Sequence, residues 1–183
     1  MNPFERLLHA LDGAGLWRDV STDKTRALIR RLMSGQDAAW ASGGAWRADG
    51  EDLADGDVEV WLRGMAAPLN DCGVDLTVAT DSGPFDEGLA RYTVTVNGTA
   101  LNLYTVDPAD PRVPLTDDPW MDCTVEPAAE VNRLLHAAGS DRRIALFWPG
   151  GNDGFSVLGP ESVLHQAAAA TSAVDGASAF IVP

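Results

Sequence analysis

"RYTVTVNGTALNLYT", Arg91 to Thr105, is the stretch that decides the fold. Two β-rich runs flank Asn97-Gly98. That dipeptide supplies the positive φ values a two-residue type I′ turn requires. With the turn placed there, the register follows by counting. Val96 faces Thr99, Val94 faces Leu101 and Tyr92 faces Leu103. All six fall on one face, as a half-buried hairpin requires.

Working outward, "VDLTVAT" upstream alternates strictly and puts Val74, Leu76 and Val78 on one side of a further strand. Before it, Asp57 is a plausible N-cap for a helix. Val58, Trp61, Leu62, Met65, Leu69 and Cys72 form its buried face, Pro68 kinks it and Gly73 ends it. Downstream of the hairpin, "VDPADPRVPLTDDPWMD", Val106 to Asp122, holds four prolines and five aspartates against one arginine. It predicts a long loop. Pro127 is expected at the first position of the next helix, with Ala128, Val131, Leu134, Leu135 and Ala138 inward and Gly139 at its end. "RRIALFW" and "GFSVL" read as strands joined by a hairpin loop at Pro149 to Asp153. "PESVLHQAAAAT" reads as a helix with Val163, Leu164 and Ala167 inward, and "AFIV" near the end as an edge strand or docked extension.

The succession is α-β-β-β-α-β-β-α. It predicts an α+β fold, an antiparallel sheet with helices packed on one face. Two amphipathic helices precede it, with stripes at Phe4, Leu7, Leu8, Leu11 and at Thr25, Leu28, Ile29, Leu32, Met33. The organisation expected is a helical extension over 1–35, a Gly/Asp/Trp-rich linker over 36–56, and the α+β domain over 57–183.

Charge limits the partners. Twenty-seven acidic residues against thirteen basic ones give −14 over 183 residues. Such a surface repels nucleic acid and anionic membranes and favours a basic partner. The first residues lack the basic and apolar regions of a signal peptide. Cys72 and Cys123 form no CxxC, which suits a reducing cytoplasm. Cys72 falls on an apolar stripe and reads as core.

Signatures of chemistry are sparse. "PGGNDG" lacks the lysine and hydroxyl of a phosphate loop and leads into a strand. His9, His136 and His165 sit on three separate predicted helices, none with a ligand at metal spacing. Cys123 paired with a histidine would make a nucleophile, but no known signature surrounds it. The acidic clusters Asp52, Asp55, Asp57 and Asp117, Asp118, Asp122 do not match an EF-hand and read as solvated loops. No cofactor, metal site or catalytic residue is expected.

The element order from about Asp57 to Thr171, with the small size and acidity, resembles type III secretion chaperones and YbjN-like proteins. That resemblance implies peptide binding and a possible homodimer. Small acidic domains without catalytic motifs are also similar to toxin-immunity proteins, which meet basic partners with acidic patches. The expectation is a non-enzymatic, cytoplasmic, protein- or peptide-binding module. Its contact surface is expected at Asp117, Asp118, Trp120 and Asp122, with Trp148, Asn152 and Asp153 at a neighbouring edge. The alternatives are an enzyme with a carboxylate-based, metal-dependent site, or a structural subunit of a larger assembly.

Overall fold

The computed structural model describes residues 3–40, 43–83, 91–107, 109–148, 154–171 and 177–182. The chain is of the α+β class, with helices and two antiparallel sheets. The first sheet has five strands. Its order is β1 (Ala38–Trp40), β2 (Gly43–Arg47), β8 (Phe155–Pro160), β7 (Arg142–Trp148) and β9 (Ser178–Ile181). The second has four, β3 (Val78–Ser82), β4 (Arg91–Val96), β5 (Thr99–Asp107) and β6 (Asp110–Pro114).

Where one sheet covered on one face was expected, the five-stranded sheet is covered on both. On one side, Ala45, Ala145, Phe147, Phe155 and Val157 pack with the helices α1 (Pro3–Gly13), α2 (Thr22–Met33) and α7 (Glu161–Thr171). On the other, Trp46, Ile144, Leu146 and Leu158 pack with the second sheet and with α4 (Val58–Gly64), α5 (Ala66–Asp71) and α6 (Pro119–Ala137). Double coverage explains why "IALFW" is a continuous apolar run rather than an alternating one. Residues 36–56, expected as a linker, carry β1 and β2, and β2 pairs with β8 from Gly44↔Leu158 to Arg47↔Phe155. The expected extension over 1–35 shares its core with β7 and β8 rather than standing apart.

The hairpin turns where Asn97-Gly98 placed it, with φ values of 46° and 83°. Val96 pairs with Thr99 and Val94 with Leu101. The register then shifts: Tyr92 faces Tyr104, not Leu103, because a bulge admits Leu103 as an extra residue. Both Leu103 and Tyr104 are buried, and the two tyrosine rings meet edge-on at 5.6 Å. Ahead of β3, residues 75–77 are held by the Asn97 side chain, which accepts from Thr77 N at 2.7 Å and donates to Asp75 O at 2.9 Å.

Pro68 does more than kink a helix. It ends one and lies in the first turn of the next, where a missing N–H is tolerated. The carbonyl four residues back, Gly64 O, receives no bond from Pro68. Trp46 Nε1 fills the place and donates to it at 3.0 Å. Trp61 Nε1 donates to the buried Ser156 Oγ at 3.1 Å. These bonds fix α4 on β2 and β8. Asp57 stands at the N-cap position of α4 but its side chain caps nothing; a π-type turn over Leu53–Asp57, broken at Gly56 (φ 123°), leads into the helix.

α6 corrects the reading of both the Asp/Pro loop and Pro127. It starts at Pro119, eight residues before Pro127, which lies inside it. Part of the expected loop is strand β6. α6 packs against both β5 and β7 and so lies between the sheets. It ends in a Schellman arrangement, with Gly139 N donating to His136 O and Ser140 N to Leu135 O. In its middle, buried Asn132 uses its whole amide on backbone. It donates to Ile144 O at 3.0 Å and Val182 O at 2.9 Å, and accepts from Ile144 N at 2.6 Å.

Replacing Asn132 with alanine leaves three buried backbone groups unpaired, at a cost of about 2–4 kcal/mol. Thermal unfolding should show Tm lower by about 5–15 °C. A loss under about 1 kcal/mol would mean that the strap is replaceable.

Candidate functional site

Four of the residues expected to meet a partner, Asp117, Asp118, Trp120 and Asp122, lie at the N-terminus of α6. Asp118 is the N-cap, and its Oδ1 accepts from Met121 N at 3.0 Å. Pro119 follows at the first helical position. Asp122 Oδ2 accepts from Thr116 Oγ1 at 2.6 Å, tying the incoming chain to the first turn. Both carboxylates sit where the helix dipole favours negative charge. Asp117 is exposed beside them.

Trp120 is 41% exposed and stands on this turn. Its Cα–Cβ stem lies against Gly50, the first residue of α3 (Gly50–Asp52), where a Cβ would come within 2.8 Å of Trp120 Cβ. Its neighbours Met121 and Leu115 are 44% and 61% exposed. Along the chain these three exposed apolar side chains alternate with Asp117, Asp118 and Asp122.

Trp148 is half-buried at the end of β7, its indole lying over Gly154. Ala48 N donates to Gly154 O at 2.8 Å. The segment 48–50 therefore runs from the glycine under Trp148 to the glycine under Trp120. Arg47 braces it, with one guanidinium nitrogen 2.7 Å from Asp49 Oδ2 and the other 2.9 Å from Asp52 Oδ2. Asp49 in turn caps α3, accepting from Glu51 N at 3.0 Å. Asn152 and Asp153 lie outside the described residues. Sequence reading missed Leu115 and Met121 as surface groups and Arg47 and Asp49 as the brace. The signal available for the first two was Asp118-Pro119, an N-cap followed by a proline suited to the first turn.

Of the other tryptophans, Trp17, Trp46 and Trp61 are buried and Trp40 is half-buried. The histidines are spread over α1, α6 and α7, but two are linked. Arg143 lies 3.3 Å from both His136 Nδ1 and Glu161 Oε2, and Glu161 Oε1 is 3.9 Å from His165 Nε2. Cys123 points inward, fully buried, towards Tyr92 and Tyr104. Burial, then the Asp122 charge, holds its thiol far above the ordinary range. Burial also raises the half-buried Cys72 thiol. A thiol kept protonated is a poor nucleophile.

Among the described residues no group of three or more His, Cys, Asp or Glu side chains is placed to hold a metal ion. No helix among them is long and apolar enough to cross a membrane. Comparison with known proteins returns no match, whether to a family model, a curated protein or a solved structure. The resemblances to secretion chaperones and immunity proteins gain nothing from that comparison.

Thiol titration at neutral pH should find Cys123 unreactive in the native protein and both cysteines reactive in denaturant. Rapid native labelling at Cys123, located by peptide mapping, would show that α6 opens far more readily than its burial implies.

Proposed function

We propose that this protein is a binding module for another protein, and that the N-terminus of α6 is its contact surface. One observation carries the reading. Of the six large apolar side chains exposed among the described residues, three, Leu115, Trp120 and Met121, fall within seven positions. Tryptophan at the centre of a patch with charged residues at its margin is a common arrangement of binding energy at interfaces. Here the margin is aspartate, in a chain of −14. The partner that fits has an apolar contact framed by lysine or arginine. Opposite charge speeds its encounter and makes binding salt-dependent. Both an immunity protein facing a basic toxin and a chaperone facing a basic client segment fit this description. The kind of partner recovered separates the two.

The test is a pull-down with tagged protein at low and high salt, comparing wild type with Trp120→Ala and with the triple variant Asp117→Asn, Asp118→Asn, Asp122→Asn. Asparagine retains a cap acceptor at 118, so the triple variant removes charge while preserving the helix start. Trp120→Ala should weaken binding by about 30-fold, as expected for a central anchor. The triple variant should bind about tenfold more weakly, with a flatter salt dependence. A partner held equally by all three proteins would place the contact elsewhere.

A further inference from the structure

The charge of this chain is unevenly placed. Residues 1–33 carry six Arg and Lys against four Asp and Glu, while residues 34–183 carry seven against twenty-three. The N-terminal helices are thus +2 on a body of −16. α2 alone holds Lys24, Arg26, Arg30 and Arg31 against Asp23. All four cations are exposed. Lys24 and Arg30 meet no acidic side chain within ion-pair reach among the described residues, and Arg26 has only Asp23, at 3.7 Å between two largely exposed groups.

α2 is also incompletely covered. Its predicted stripe buries Thr25 and Leu32, leaves Leu28 and Ile29 half-buried, and leaves Met33 44% exposed. The uncovered part is one wall of a groove of about 360 Å³ between α1 and α2. Glu5, Leu8 and His9 line it from one helix, Ile29 and Met33 from the other. Arg26 and Arg30 lie one helical turn before Ile29's and Met33's level on the same helix, so the apolar floor has a cationic border.

We propose that the α1/α2 groove is a second docking surface, for an acidic amphipathic helix of a protein partner. A concave apolar floor takes side-chain knobs spaced i, i+3, i+4 and i+7, as helix-in-groove recognition does. The cationic border then faces the carboxylates flanking those knobs. A duplex supplies phosphates but no apolar knobs, and its length would run over the acidic body. A lipid surface needs a projecting apolar face, whereas Ile29 and Met33 line a recess. This inference is independent of the Trp120 surface, which lies with α6 on the other side of the five-stranded sheet.

The methionines supply the test. Met33 lies in the groove, Met121 on the Trp120 surface, and Met65 in the core. Methyl-labelled full-length protein is titrated with a 14-residue Leu/Glu peptide bearing leucine at the i, i+3, i+4, i+7 positions. The Met33 methyl should shift saturably while Met65 and Met121 stay still. Arg26→Glu with Arg30→Glu should weaken the effect at least tenfold, with Met65 unmoved as the sign of an intact fold. A silent Met33 at millimolar peptide overturns the proposal. So does an equal shift with the Leu/Lys counterpart, which would mean undirected apolar binding. So does a shift of the same size with phosphatidylserine vesicles or a DNA duplex, which would make this a general anionic-surface site. Because Met121 reports separately, failure here leaves the Trp120 reading to stand or fall by its own experiment.

Discussion

The amide of Asn132 joins α6 to β7 and to the residue that follows β9. β7 pairs with β9 from Ala145↔Ile181 to Trp148↔Ser178. One step further, at Ile144 and Val182, the ladder stops. The Asn132 side chain enters there and bonds both chains, in place of the direct backbone pair that would come next. A primary amide suits the place because it presents a donor and an acceptor, as a peptide group does. The consequence is positional. α6 is pinned to the central sheet at Asn132, and its first turn, about three turns away, carries the exposed side chains. The surface is held by a buried polar contact rather than by a loop.

A second constraint is the seating of tryptophan on glycine. Trp46 lies across Gly44, where a Cβ would come within 2.3 Å of its ring, and its Cδ1 would approach a Cβ at Gly64 to 3.3 Å. Trp148 rests on Gly154 in the same way, whereas at Gly50 it is the Cα–Cβ stem of Trp120 that lies close. The glycines of "WASGGAWRADG" therefore sit where other groups come close: the Leu158 backbone and Trp40 at Gly43, the Trp46 ring at Gly44 and the Trp120 stem at Gly50. Any side chain at Gly44 displaces Trp46, and with it the indole bond that satisfies the carbonyl Pro68 leaves open.

This explains which parts of the structure were legible in the sequence. Local stereochemistry was. Asn97-Gly98 fixed the turn, Gly139 ended its helix, and the apolar stripes of α1 and α7 lie inward. The bulge at Leu103 was not, because it sets Tyr104 opposite Tyr92, a ring contact that local sequence pattern does not encode. The start of α6 was missed because two prolines competed for the first-turn position. Pro119 won, since Asp118 before it could cap and the residue before Pro127 could not. The supposed linker failed for the reason given above. Its glycines were read as freedom when their cause lay some way off in the chain, in Trp120 and in the strand β8. The candidate surface was half visible: the aspartates and Trp120 were singled out, but their placement on a capped helix was not.

The aspartates at 118 and 122 show why an acidic contact surface costs this fold little. Three carboxylates crowded on an ordinary loop repel one another and depend on salt for relief. At a helix N-terminus, two of them accept hydrogen bonds, from Met121 N and Thr116 Oγ1, while the helix dipole offsets their charge. The same groups that would draw a basic partner also hold the first turn in shape. The cations of α2 are less fully used, although Arg30 and Arg31 stand in its last turn, where the helix dipole favours positive charge. Among the described residues Lys24 and Arg30 make no ion pair, and Arg26 makes one loose pair with Asp23. Arg31 donates to Asp37 O at 3.0 Å, and so helps seat the chain leading into β1. Charge that does structural work needs no partner to explain it. The argument for the Trp120 surface therefore rests on its exposed apolar side chains, and the argument for α2 on Lys24, Arg26 and Arg30, whose charges meet no carboxylate beyond Asp23 among the described residues.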